Sequence, residues 1–210
     1  MKKKIFVLSI PMLPAENLKE LQYRYSDGRL SVNTRFPGIA LLEKYAPGKA
    51  PVKIVTVRTD DDNHRTEDCY RLFLEELDRL SGKLGTRFEI ETEIVVPHTE
   101  DEEKSRHFLR ELLDAYENSA YVYMDVTYGT KLTSIELFSS LFFAEICKHC
   151  SIKTAAYGKY AFDGSDIGEL YDVTRLYHTL RFLETSAQMD KASFADLVDQ
   201  MLSNSLEIIQ

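Results

Sequence analysis

The residues in this chain best suited to chemistry lie in one short run, Asp125-Val126-Thr127-Tyr128-Gly129-Thr130-Lys131. It sits between a β-favouring segment, Ala120 to Val126, and a long apolar stretch, Lys131 to Lys148, the pattern of strand, glycine turn and helix. A helix N-terminus aims unpaired N–H groups and a partial positive charge outward, so a phosphate is well accommodated there. Gly129 lets backbone approach such a ligand, Thr127 and Thr130 offer hydroxyl donors, and Lys131 adds a point charge. Asp125 would repel a phosphate. Its expected work is to accept hydrogen bonds from turn amides or threonines and so fix the loop. The same spacing also fits a plain helix entry, with Gly129 as turn, Thr130 as N-cap and Lys131 in solvent, and spacing alone leaves both readings open.

Other chemistry-bearing clusters are thinner. Cys147-Lys148-His149-Cys150 pairs two thiols with a histidine, but a zinc site needs about four ligands and no second C-x-x-C exists, so a buried helix end accounts for it better. Asp60, Asp61 and Asp62 before His64 could meet Mg²⁺ at a strand end, though such a run more often favours the positive end of the next helix. Tyr23, Tyr25, Tyr128 and Tyr157 could stack on a base, with core packing the plainer expectation. The chain has no G-x-G-x-x-G after its first strand, no G-x-x-x-x-G-K-[ST] and no G-x-S-x-G, which argues against a dinucleotide oxidoreductase, a P-loop ATPase and a serine hydrolase elbow. No metal and no cofactor are expected.

Positioning the turn requires a sheet. Lys4 to Ile10, Pro51 to Val57, Phe88 to Val96, Ala120 to Val126 and Ile152 to Tyr157 read as strands, the first nearly unbroken in apolar residues as a strand covered on both faces would be. Helical periodicity falls between them, over Phe36 to Tyr45, His64 to Leu84, Asp101 to Asn118 (Thr99 with Glu102 as a capping box) and Lys131 to Lys148. The last is apolar almost all round, which predicts cover on two sides. Two insertions read as antiparallel hairpins. Gln22 to Thr34 turns at Ser26-Asp27-Gly28, and Tyr157 to Tyr171 turns at Asp163-Gly164 and extends the sheet edge. Val173 to Thr185 and Phe194 to Ser203 read as C-terminal helices. The fold class predicted is therefore α/β, a Rossmann-like, mostly parallel sheet flanked by helices, with β-hairpin insertions and a helical C-terminus; residues 1–185 form the domain and 186–210 a short extension.

Composition narrows the function classes. A net charge of −8 disfavours a coat for duplex nucleic acid, which needs a basic face to displace counterions. No apolar run approaches the roughly 20 residues of a membrane span. The apolar stretch Ile5 to Ile10 after Met-Lys-Lys-Lys ends at Pro11, too short for a signal peptide, so a cytoplasmic protein is expected. Three cysteines without framework spacing fit a reducing compartment.

Asp125 to Lys131 resembles the D-x-T-x-G-x-K/R signature of the CRISPR-associated Rossmann fold, the CARF sensor domains, and in particular their D-x-T-H-G branch. Similar to that branch, too, are a first-strand loop containing Ser9, Thr34-Arg35-Phe36 leading into a helix at Ala40-Leu41, and Tyr157-Gly158 followed by Tyr171-Asp172-Val173-Thr174. Tyr128 stands where the branch usually has histidine, so no role of that histidine carries over. The resemblance implies a homodimer that binds cyclic tetra- or hexa-adenylate across its axis in type III CRISPR antiviral signalling, with Ser9, Ile10, Pro11, Asp125, Thr127, Tyr128, Gly129, Thr130 and Lys131 as the ligand-binding set. It implies a dimer face on the helix after Lys131 that includes Ser139, Ser140 and Ala144. Some stand-alone members are metal-independent ring nucleases, which would make Lys131 the cation that stabilises charge on phosphate and Ser9 its ribose or phosphate partner in catalysis. A binding-only role is the alternative, with the chain a regulatory subunit or a sensor that switches a partner or an effector domain; a third reading is an enzyme acting on an unrelated nucleotide. No R-x-x-x-x-H segment follows residue 186, so a stand-alone protein or a sensor cut from a longer one is expected.

Overall fold

The computed structural model describes residues 1–60, 65–97, 101–160 and 165–186. Among them, eight strands form one sheet: β1 (Lys4–Ser9), β2 (Leu21–Arg24), β3 (Leu30–Thr34), β4 (Val52–Asp60), β5 (Ile90–Pro97), β6 (Tyr121–Asp125), β7 (Ser151–Lys159) and β8 (Ile167–Asp172). The helices are α1 (Pro37–Tyr45), α2 (Arg65–Leu84), α3 (Glu102–Ala115), α4 (Lys131–Lys148) and α5 (Thr174–Ser186). The sheet order is β3-β2-β8-β7-β6-β1-β4-β5, and its parallel core runs β5-β4-β1-β6-β7. This is the mostly parallel, Rossmann-like α/β arrangement that the alternation of strands and helices predicts.

The period-two alternation of a strand divides β1 between two cores. Phe6, Leu8 and Ile10 join α1 and α2 residues Ile39, Leu41, Phe73 and Leu77 in one fully buried cluster. Phe6 stacks on Tyr123 at 4.7 Å between centroids, and Phe36 meets Phe73 edge-on at 5.4 Å. Ile5 and Val7, equally buried, point to the opposite side. There α3 packs on α4 and β5, and α4 on β7.

Both insertions are antiparallel hairpins, but their placement corrects one expectation. In the first, Gly28 at φ +82° donates its amide to the Tyr25 carbonyl at 2.9 Å, and the Tyr25 hydroxyl ties the hairpin to α1 through the Ala40 carbonyl at 2.9 Å. In the second, β8 pairs with β7 but does not end the sheet, because β2 adds in parallel to its free side. An unpaired row of strand N–H and C=O groups needs a partner, and the first hairpin supplies it, leaving β3 at the edge. The expected turn at Asp163-Gly164 lies outside the described residues.

α4 has its predicted bounds. The face expected to meet a second copy is corrected: Ser140 and Ala144 are buried within the chain and Ser139 is half-buried, and the large apolar side chains left exposed on α4 are Ile135, Phe143 and Ile146. α3 stops at Ala115 because Tyr116 turns to an extended conformation and buries its ring, its hydroxyl 2.8 Å from that of Ser140. The α3 N-cap is Asp101, which accepts from the Lys104 amide at 2.8 Å; Thr99 lies outside the described residues, as do Asp61, Asp62, His64 and the predicted helix at 194–203. The described residues divide into two units, one over 1–174 and a second that begins at Arg175. No helix among the described residues is long and apolar enough to cross a membrane.

Candidate functional site

Within the parallel core, β4 and β5 follow on one side of β1, and β6 and β7 are then added on the other. Strand order therefore reverses between β1 and β6, and in open α/β sheets the crevice outside the carboxyl ends at such a reversal is where ligands bind. Leu8 pairs with Asp125 across this junction, which puts Ser9 beside the turn that follows β6. β3 runs in the same direction as the parallel core, so the Arg35-Phe36 segment and the start of α1 arrive at the same edge.

The turn is tied down residue by residue. Asp125 Oδ1 accepts from the Thr127 amide at 3.0 Å and from the Thr127 hydroxyl. Thr127 Oγ1 in turn accepts from the Gly158 amide at 2.8 Å, and the Val126 amide donates to the Ala156 carbonyl at 2.9 Å, so the turn is clamped to β7. Only glycine fits at 158, since a Cβ there would lie 2.2 Å from Pro37 Cγ. The Tyr128 amide donates to Ser9 Oγ at 3.0 Å, locking the turn to β1. Gly129 then adopts φ +111°, a backbone that side-chain-bearing residues rarely adopt. Thr130 N-caps α4 by accepting from the Thr133 amide at 3.1 Å. The amides of the first helical turn precede the i→i−4 ladder and face outward from the helix end.

Asp125 has a second oxygen with a different fate. The carboxyl group is 1% exposed, and Oδ2 has no hydrogen-bond partner. It lies against Gly38, where a Cβ added to the glycine would come within 3.3 Å of it. α1 begins there without a side-chain cap, its N-cap being Phe36 and its first helical residue Pro37. The carboxylate thus stands at an uncapped helix N-terminus, close enough for the Gly38 amide to favour its charge without hydrogen-bond geometry. Burial nevertheless pushes the Asp125 carboxyl up to about 7, against the opposing pull of Thr127, Gly38 and Ser9. The Tyr128 hydroxyl donates to the Arg35 carbonyl at 3.2 Å and meets the Tyr160 hydroxyl. Burial raises the phenols of Tyr128 and Tyr23, which therefore stay neutral near this acid.

The sequence-predicted residues fall into two groups. Gly129 and Lys131 are exposed and Thr130 half-buried where the turn enters α4. Ser9, Ile10, Pro11, Asp125 and Tyr128 are buried and Thr127 is half-buried with its hydroxyl engaged, so the structure places these as the frame of the turn. Tyr23 and Tyr25 are core residues, whereas Tyr157 is 44% exposed. Cys150 is buried with Sγ donating to the Glu117 carbonyl at 3.2 Å, and Cys147 is exposed on α4.

Sequence reasoning missed three supports. Glu76, buried on α2, accepts from the Thr34 hydroxyl, from the Arg35 amide at 3.2 Å and from the Arg35 guanidinium at 2.8 Å, pinning the approach to α1. Gly38 admits α1 to Asp125, and a Pro-Gly pair opening a helix was its only trace. The third had a visible signal, a second Asp-Val-Thr at Asp172-Val173-Thr174. Asp172 Oδ1 accepts from the Thr174 amide at 2.8 Å and from its hydroxyl, Thr174 Oγ1 accepts from the Ala155 amide at 2.8 Å, and the Val173 amide donates to the Ala155 carbonyl at 2.8 Å. Asp125 and Asp172 both register against Ala156, one on each side of β7. The Asp-Val-Thr tripeptide is therefore a strand-end clamp used twice, and only the first copy is followed by a glycine turn and a lysine. No protein-family model matches the chain, and no curated protein matches its sequence.

Proposed function

We propose that this chain is a cytoplasmic, homodimeric sensor of the CARF type, binding cyclic tetra- or hexa-adenylate in type III CRISPR antiviral signalling. The observation that carries this reading is the turn at the strand-order reversal, where Gly129, Thr130, Lys131 and the first amides of α4 are presented on a frame locked by Asp125, Thr127 and Gly158. A phosphodiester there meets oriented N–H dipoles and one ammonium, enough to hold an anion at short range on an acidic protein. A ring with two-fold symmetry suits an isologous dimer that presents the same groups twice. The exposed row Ile135, Phe143 and Ile146 on α4 supplies apolar surface for such a contact.

Binding is favoured over cleavage by one detail. In a metal-free ring nuclease the ribose 2′-oxygen attacks the adjacent phosphorus, a 2′,3′-cyclic phosphate forms, and the 5′-oxygen leaves and takes up a proton. Lys131 can stabilise the charge that builds on phosphate. Ser9, the other catalytic candidate, is 3% exposed and its oxygen already accepts from the Tyr128 amide. The reading is thus a receptor that switches a partner or an attached effector.

Isothermal titration of the purified chain with each ring, without metal, tests this. Wild type should bind one of them, and Lys131→Ala should weaken binding about tenfold or more, the equivalent of roughly 1.4 kcal/mol. Failure of both rings to bind would remove the reading. Rapid metal-free conversion of the ring to linear products would instead make the protein an enzyme.

A further inference from the structure

Asp125 is poorly placed to touch an anionic ligand and well placed to feel one. Its Oδ1 is spent on the Thr127 amide and hydroxyl, the residue that opens the turn, while Oδ2 is fully buried, unpartnered, and seated against the start of α1. We propose that Asp125 is a proton-linked positioning residue: an anion held on the first turn of α4 draws a proton onto this carboxylate, so that anion binding and proton uptake at the site are coupled. The identity of the anion as a cyclic oligoadenylate rests on the reading above; the coupling itself requires only an anion at the turn.

The physical basis is repulsion between like charges at an occupied, water-poor site, which favours the neutral form of the acid. Among the described residues, the groups that bear on Asp125 come from several elements. From β1 comes the Ser9 hydroxyl, from α1 the Gly38 amide, from the turn Thr127 and the Tyr128 phenol, from β2 the Tyr23 phenol, and beyond β7 the Tyr160 phenol bonded to Tyr128. Tyr23 and Tyr128 feel the Asp125 charge and are held neutral by burial, and Glu76 on α2 is paired with Arg35. Lys131, exposed at the start of α4, is the cation nearest in sequence. Burial pushes the carboxyl up to about 7, so ordinary assay conditions span the window in which uptake is expected. Because coupling is reciprocal, a bound anion raises the acid's midpoint and protonation tightens anion binding. Phosphodiesters and sulfate do not themselves titrate near neutrality, so any uptake belongs to the protein.

The test is a ¹³C titration of aspartate side-chain carboxyls in the intact chain, alone, with inorganic sulfate, and with cyclic tetra- and hexa-adenylate. The Asp125 resonance should have a midpoint near neutrality in the free protein, move together with the Gly38 and Thr127 amides, and shift upward with a bound anion. Ring affinity should be about three- to tenfold tighter at about pH 7 than at about pH 8, with up to one proton taken up per site, and flat with pH in Asp125→Asn. A purely structural aspartate would change stability on substitution but show neither proton uptake nor a pH slope. An Asp125 midpoint below about pH 5, or one that neither sulfate nor a bound ring moves, would overturn the coupling. If sulfate moves it and neither ring binds, the coupling stands and the cyclic oligoadenylate reading falls.

Discussion

Two residues at the turn carry costs that can be measured without any ligand. Gly129 at φ +111° would, with a methyl added, meet Thr133 Cβ and Cγ2 at 3.0 Å. Gly129→Ala should therefore destabilise the chain by about 1–3 kcal/mol in urea unfolding, backbone strain and crowding acting together. Asp125 reverses the usual acid behaviour. Its folded pKa is raised from 3.8 to about 7, so the folded state retains a proton that the unfolded chain gives up, and the associated stability is full below the unfolded value and lost as pH rises through the folded one. Between about pH 5 and about pH 8 wild type should lose roughly 2–3 kcal/mol relative to Asp125→Asn, read from paired denaturation curves. The loop-fixing role of Asp125 was legible from its position before two threonines and a glycine. The burial of its second oxygen at Gly38 was not, because the approach of α1 is set by packing far along the chain.

The two Asp-Val-Thr clamps use the same four hydrogen bonds, two of them to β7, which makes them a matched pair for experiment. Valine matches threonine in shape but offers no acceptor to the β7 amide, so Thr127→Val and Thr174→Val should each cost about 1–3 kcal/mol as a backbone donor loses its partner. Calorimetric titration should then separate them, with only Thr127→Val weakening ring binding. Equal losses in both would mean that the first clamp has no special bearing on the turn. Element by element, the strands and α4 were legible because their apolar periods are long and unbroken. α3 was read three residues too far, since Tyr116 continues the helical spacing while its ring is drawn out of the helix to reach Ser140.

The molecule's sheet order puts the turn at the one reversal of the parallel core, and alternation of strands with helices sufficed to predict a mostly parallel sheet. The joining of the two hairpins through β2 and β8 was not legible, because pairing between distant strands leaves no local pattern. If the exposed row on α4 joins two copies, Ile135→Glu with Phe143→Glu should raise the dimer dissociation constant more than about tenfold in sedimentation equilibrium, and ring binding should fall with it. The central claim is that the amide-lined mouth of α4 holds the anion. It is tested most directly by ¹⁵N–¹H shift mapping during titration with cyclic tetra- and hexa-adenylate. The largest shifts should fall on the amides of Gly129, Thr130, Lys131 and Leu132; saturable binding that leaves these amides unmoved and perturbs another surface would contradict it.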